Sequence, residues 1–132
     1  MIDMKRLFRI FKKKADPSEL ISRLEAVSAL IDKWTADTAA FLENKDMSLT
    51  DPVNDDVFHL AESLNELSTL LPSHPAVKEV FDMLETAVRE GMFEIASVKC
   101  GMIEEDVLSR LPIWPEKARA RIDLLLKAFQ KD

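Results

Sequence analysis

Four polar residues on one predicted helix form the densest group in the chain that could carry chemistry. Their spacing of four, three and four places them on one helical face: Asp55, His59, Glu62 and Glu66. Carboxylates and an imidazole on one face can bind a metal ion. However, the di-metal bundle pattern needs E-x-x-H pairs, and the chain has none. The stripe also lies nearly opposite the apolar side marked by Leu60 and Leu64, so we expect a solvated acidic face and no metal site.

His59 is also a candidate phosphoacceptor. In its predicted architecture and in this one residue, the chain resembles the histidine phosphotransfer domains, which are acidic helical bundles with an exposed histidine. The resemblance implies a signalling domain that carries phosphate on His59. That family places Lys and Gly shortly after the histidine, whereas this chain has Glu62 and Ser63 there. A carboxylate one turn away repels a phosphoryl group, so we keep this function as the alternative to binding.

The other residues with reactive side chains are few. Nucleophilic catalysis needs a base within reach, and His59 and His74 are the only histidines. His74 precedes Pro75 at a predicted helix start, where we interpret it as a cap. Cys100 is the only cysteine, so the sequence indicates no disulfide and no oxidising compartment. Without a catalytic triad, zinc pattern or glycine-rich phosphate loop, the sequence favours a non-enzymatic protein with no cofactor.

The basic N-terminal segment is the feature that points most directly to a function. Residues 1–14 contain six basic residues against Asp3, a net charge of +5, whereas residues 15–115 have a net charge of −13. On a helical wheel the basic residues lie opposite the apolar ones: Lys5, Arg6, Arg9, Lys12 and Lys13 against Leu7, Phe8, Ile10 and Phe11. This composition is typical of helices that lie in an anionic lipid interface. We predict that this helix binds an anionic membrane surface or an acidic protein partner, or else packs on its own bundle.

Composition sets the wider class. The chain has 132 residues, is 47% apolar and 32% charged, and contains two glycines and no tyrosine, which is typical of a soluble helical domain. The net charge of −6 argues against general nucleic-acid binding, which depends on neutralising phosphates. Arg9 interrupts the apolar start, so we read no signal peptide, and no apolar run is long enough to span a bilayer. We expect a cytoplasmic protein, with peripheral membrane contact through its N-terminal helix.

Apolar spacing is helical nearly throughout, so we predict an all-α protein. The N-terminal helix covers residues 1–14, and residues 15–132 form a single bundle domain, an antiparallel bundle of five or six helices. One seam of apolar residues runs from Leu20 to Phe41 and ends before Asn44. Long seams of this kind also suit a homodimer. Gly91 either lies inside a helix or ends it as a C-terminal cap.

Proline signals and charges mark the remaining helices. Asp51-Pro52 is a predicted N-cap followed by a first-turn proline. Pro112 and Pro115 flank Trp114, which we place in a loop where its ring can serve as an anchor. The last helix carries a basic stripe opposite its apolar side, with Leu124 inside the stripe as a contact point for another protein: Lys117, Arg121, Lys127 and Lys131.

Overall fold

A computed structural model describes residues 17–130 of the chain. These residues are helical and contain no strand, which confirms the predicted all-α class. The elements in chain order are α1 (Pro17–Asn44), a 3-10 turn (Met47–Leu49), α2 (Thr50–Ser68), α3 (Pro75–Lys99), α4 (Glu105–Arg110) and α5 (Ile113–Gln130). The helix predicted at residues 1–14 lies outside the described residues.

Four long helices build the bundle. Both α1 and α3 pack against α2 and α5, so the four helices close a ring around one apolar core. The predicted count of five or six bundle helices is not confirmed within residues 17–130, where four long helices form the bundle. The reason is that α4 has six residues and buries only Val107, which leaves it as part of the connection between α3 and α5.

Ion pairs between helices show that neighbours run antiparallel. Arg23 of α1 pairs with Glu66 of α2 at 2.7 Å, and Lys33 pairs with Asp56 at 2.9 Å. The start of α1 therefore lies beside the end of α2, and the two helices run in opposite directions. An exposed pair such as Arg23–Glu66 contributes little stability, so the buried apolar residues between the helices supply most of it.

The predicted apolar seam of α1 lies in the core. It is buried from Leu20 to Phe41, and Trp34 is 1% exposed. The helix ends after Asn44 because Lys45 adopts a left-handed conformation, with φ 54°, and its N–H donates to the carbonyl oxygen of Phe41 at 2.7 Å. This geometry explains the predicted break at this point of the chain.

The start of α2 differs from the prediction. The helix begins at Thr50 with Leu49 at the N-cap position, and no side chain caps it there. Asp46 acts earlier, because its carboxylate accepts the N–H of Ser48 and begins the 3-10 turn that leads into α2. Asp51 instead pairs with Lys99 at the far end of α3, so its role is a contact between helices.

The path of α3 decides between the two interpretations of Gly91. The helix runs uninterrupted from Pro75 to Lys99, so Gly91 lies inside it and is not a C-terminal cap. A Cβ atom on Gly91 would lie 2.3 Å from Cζ2 of Trp34 and 3.4 Å from Cβ of Trp114. Only a hydrogen atom fits, because α3 passes directly over the buried indole ring.

Trp114 lies in the first turn of α5, so its placement in a loop is wrong. The helix begins at Ile113, and Pro115 is buried within the first turn, where proline is tolerated because that N–H has no helical partner. Trp114 is half-buried and packs against the edge of the core.

Candidate functional site

The residues predicted to bind through the N-terminal helix lie outside the described residues: Lys5, Arg6, Leu7, Phe8, Arg9, Ile10, Phe11, Lys12 and Lys13. The first described residue is Pro17, at the start of α1. Nε2 of Gln130 donates to Oε2 of Glu25 at 3.2 Å, so the last turn of α5 lies beside the first turns of α1. Pro17 therefore lies at the end of the bundle where α5 finishes.

The predicted polar stripe of α2 is exposed along its whole length, as expected for a solvated face: Asp55, His59, Glu62 and Glu66. Within residues 17–130, no group of three or more histidine, cysteine and carboxylate side chains is placed to hold a metal ion. His59 has the exposure that a phosphoacceptor needs. Its neighbours one turn before and one turn after it on the stripe are carboxylates.

His74 and Cys100 lie at opposite ends of α3. Nδ1 of His74 accepts the N–H of Ala76 at 3.1 Å, so this histidine caps the helix as predicted. Cys100 is exposed at the C-terminal cap, and its own N–H donates to the carbonyl oxygen of Ala96 at 3.0 Å. His74 therefore caps the start of α3, and Cys100 lies at its C-terminal end.

A groove between α3 and α5 combines apolar walls with charged rims. Its volume is about 590 Å³, and the residues that matter for its chemistry come from both helices: Pro75, Met83 and Ala87 of α3, and Trp114, Lys117 and Arg121 of α5. A second hollow of about 520 Å³ lies under the connection between α2 and α3. Lys78 and Asp82 line both hollows, so together they form one depression along the first half of α3.

Cations without a carboxylate partner are concentrated on α5. Residues 17–130 contain eleven lysines and arginines, of which seven form ion pairs with carboxylates of the bundle. Three of the remaining four form the cationic face of α5: Lys117, Arg121 and Lys127. Nζ of Lys117 lies 5.1 Å from the centre of the Trp114 ring, a cation–π contact that leaves its charge available. Because no described carboxylate neutralises it, this face attracts anions.

Large apolar side chains are exposed beside the cationic face of α5. Ile113 and Leu124 are each 39% exposed, and Met83 across the groove is 43% exposed. The exposure of Leu124 agrees with its predicted position inside the basic stripe. Apolar residues bordered by charges are typical of surfaces that bind other proteins.

The floor of the groove is coupled to the core of the bundle. Gly91 is buried between the ring of Trp34 and the side chain of Trp114, so the backbone of α3 fixes the position of both. The indole Nε1 of Trp114 is buried and has no hydrogen-bond partner among the described residues. A change in core packing at Gly91 would therefore move the floor of the groove as well.

A buried carboxyl group lies where α1 meets α2. Asp56 is 1% exposed, and its Oδ1 accepts a hydrogen bond from Nζ of Lys33 at 2.9 Å. Its Oδ2 has no donor among the described residues. Burial and the hydrogen bond with Asp37 raise the pKa of Asp56 to about 6, and the same hydrogen bond lowers the pKa of Asp37. When Asp56 is protonated, its Oδ2 can act as the donor to Asp37.

The position of Asp56 in the sequence also indicates that it is buried, although the spacing of the polar stripe does not include it. Asp56 stands three residues after Val53 and four before Leu60, inside the apolar stripe that α2 buries. Asp55, its neighbour, was assigned to the exposed stripe and is exposed. A charged residue within a buried stripe indicates a partner on the facing helix, which here is Lys33.

Met83 and the groove itself were also missed. Met83 is exposed on α3, and nothing in its own spacing distinguishes it from an ordinary exposed residue. Its role depends on α5 being the neighbour of α3, which the sequence pattern did not specify.

Two further findings bear on function. None of the described helices combines the length and the apolar composition that are needed to cross a bilayer. Comparison of the chain with protein-family models, with curated proteins and with solved structures finds no match.

Proposed function

We propose that this chain is a non-enzymatic interaction module that binds an anionic membrane surface through the basic amphipathic segment of residues 1–14. An acidic protein groove is the alternative target of the same segment. The observation that carries the proposal is the separation of charge along the sequence, with a net +5 in residues 1–14 and a net −13 in residues 15–115. We place the protein in the cytoplasm, at the membrane periphery where the segment binds.

The magnitudes support binding that is reversible and sensitive to salt. A lysine or arginine near an anionic membrane surface contributes about 1 kcal/mol, so the segment's six basic residues together contribute roughly 6 kcal/mol. Phe8 and Phe11 add apolar burial in the interface. The acidic body opposes the approach to an anionic surface, and this repulsion is screened within a Debye length of about 10 Å at 0.1 M salt.

The test compares two full-length variants with matched changes in charge. We expect that replacing Lys5, Arg9, Lys12 and Lys13 with glutamine lowers partition onto anionic vesicles by about 10²-fold or more, because roughly 4 kcal/mol of attraction is removed. The control replaces the four cations of the bundle that lack a carboxylate partner with glutamine, and it should bind like wild type: Lys45, Lys117, Arg121 and Lys127. Flotation with phosphatidylserine-containing vesicles at low and high salt measures both.

The outcomes are distinct. Equal loss of binding in both variants would show an effect of net charge alone and would contradict the proposal. Binding of wild type to neutral vesicles as strongly as to anionic ones would also contradict it. Deletion of residues 1–14 should abolish binding while circular dichroism shows that the bundle stays folded; unfolding on deletion would make the segment structural.

His59 carries a second candidate function, transfer of a phosphoryl group, which is favoured by the exposure of its side chain on α2. In this hypothesis the imidazole takes the phosphoryl group of a small donor such as acetyl phosphate, with release of acetate. We expect acid-labile phosphate on wild type and on His74→Gln, and none on His59→Gln. Wild type that stays unlabelled under these conditions would rule the function out.

A further inference from the structure

We propose that the α3–α5 groove is a second binding surface, which takes an acidic amphipathic helix of a partner protein. This inference is independent of the N-terminal segment, because it rests on residues of α3 and α5 alone. The groove would be filled by the apolar side of the partner helix, and the cationic face of α5 would contact its acidic edge.

The dimensions of the groove fit a helix of a few turns. On α3 its lining extends from Pro75, at the start of the helix, to Ala87. These positions are twelve residues apart, or about 18 Å at 1.5 Å per residue, which corresponds to roughly three helical turns. Two antiparallel helices with a gap between them offer the standard seat for a third helix, whose side chains fill the gap.

Apolar contact would come from side chains that are now exposed to water. Met83 on one wall and Leu124 beside the other are 43% and 39% exposed, and Trp114 forms the end of the groove. A partner helix with large apolar residues at intervals of three and four would cover them in one row. The half-buried indole of Trp114 would anchor the partner helix at that end of the groove.

Charge sets the orientation and the chemistry of the partner. Lys117, Arg121 and Lys127 form no ion pair with a described carboxylate, whereas on α3 Lys78 is paired with Asp82 at 2.8 Å. Acidic residues of the partner are therefore favoured along the α5 edge. Glu79, on the α3 edge, disfavours them there.

The same features argue against other occupants. A bilayer is flat and would touch only the rims, which leaves the apolar floor of the groove uncovered. A nucleic acid needs many phosphate contacts, and three cations on a strongly acidic body are too few. A helix with one apolar and one acidic edge can cover the apolar floor of the groove and also pair with the cations of α5.

The experiment uses full-length protein and a designed helical peptide of about 18 residues, or five turns, with leucines on one side and glutamates along one flank. We expect binding with a dissociation constant in the micromolar range, and chemical-shift changes at Met83, Thr86 and Leu124 in heteronuclear NMR spectra. The replacement of Lys117, Arg121 and Lys127 with glutamine should weaken binding at least about tenfold, since rim charges contribute modestly. A peptide with lysine in place of glutamate should bind the wild-type protein no more tightly than the glutamate peptide binds this triple variant.

The matched control is the replacement of Lys45, Arg89 and Lys99 with glutamine, which removes the same charge from exposed positions outside the groove and should leave peptide binding unchanged. The thermal unfolding of each variant shows whether it is folded. The proposal is overturned by shifts that map to another surface, by equal binding of the lysine peptide, or by loss of binding in the control. Phe58 is 53% exposed on α2, beside the acidic stripe. The proposal is also overturned if the protein self-associates and Phe58→Ser frees the groove, since this would assign the groove to the acidic α2 face of a second copy.

Discussion

Replacement of Gly91 with alanine is expected to destabilise the bundle by about 2 to 3 kcal/mol, the range found for overpacked cores. The added Cβ would lie 2.3 Å from Cζ2 and 2.8 Å from Cη2 of Trp34, which is itself fully buried and unable to move aside. Helix propensity alone predicts the opposite sign, because alanine is favoured over glycine inside a helix by about 1 kcal/mol. Urea denaturation of both proteins therefore distinguishes a steric constraint from an ordinary helical glycine.

Two controls separate the steric effect from a general effect of losing glycine. Gly101 has φ 105° and no atom within 4 Å of an added Cβ, so Gly101→Ala should cost about 1 kcal/mol through backbone strain alone. Phenylalanine lacks the two ring atoms that clash, so in a Trp34→Phe background Gly91→Ala should cost less than about 1 kcal/mol, while Gly101→Ala keeps its full cost. An unchanged cost at Gly91 in that background would show that Trp34 is not the constraint.

The replacement of Asp56 with asparagine is expected to raise stability at pH 8 and to raise it only about half as much at pH 5, where the carboxyl group of the unfolded chain is still ionised. The pKa of Asp56 is raised to about 6 in the fold, above its ordinary value of 3.8, so the folded protein gains stability from this proton at low pH. That contribution is lost as the pH rises through about 6. Asparagine keeps the geometry, since its amide can donate to Asp37 and its oxygen can accept from Lys33, and it has no proton to lose.

The size of the effect follows from the shift in pKa. A shift of about two units corresponds to nearly 3 kcal/mol, in which the opposing ion pair with Lys33 is already included, so we expect a gain of about 2 to 3 kcal/mol at pH 8. The lowered pKa of Asp37 acts in the opposite direction and below this window, because its contribution is lost only as the pH falls through its own pKa. Chemical denaturation between pH 5 and pH 8 measures the difference between variant and wild type.

The exposed neighbour provides the control for this titration. Asp55→Asn removes the same charge from the next position on α2 and should change stability by less than about 0.5 kcal/mol across the range. Parallel pH profiles for wild type and Asp56→Asn would mean that Asp56 does not hold its proton in the fold. Asp56→Ala, which also leaves Lys33 without this partner, should be less stable than Asp56→Asn at every pH.

Spacing in the sequence predicts which faces of the helices are buried, because that property depends on a period of 3.6 residues and on nothing further away. The seam from Leu20 to Phe41 and the solvated stripe at His59 are both of this kind. Helix ends are predicted less well where a second local motif competes. At α2, the cap at Asp46 begins a 3-10 turn and moves the start of the helix away from Asp51.

The features that depend on two helices were not predictable from either one. The close approach of α3 to Trp34 makes Gly91 an internal helical residue, although a glycine at that spacing equally suits a C-terminal cap. The groove likewise exists only because α5 lies beside α3. The basic residues and Leu124 of the last helix were recognisable in the sequence. Met83 lies opposite them only because α3 packs against α5.

Hydrogen exchange of the full-length protein with and without anionic vesicles is the most direct test of the proposed function, because it reports which residues contact the lipid. We predict increased protection in residues 1–14 on vesicles that contain phosphatidylserine, with unchanged exchange in α1 to α5. The protection should disappear at high salt and in the variant with glutamine at Lys5, Arg9, Lys12 and Lys13. Protection confined to the bundle, or no change in residues 1–14 while the protein is bound, would contradict the account.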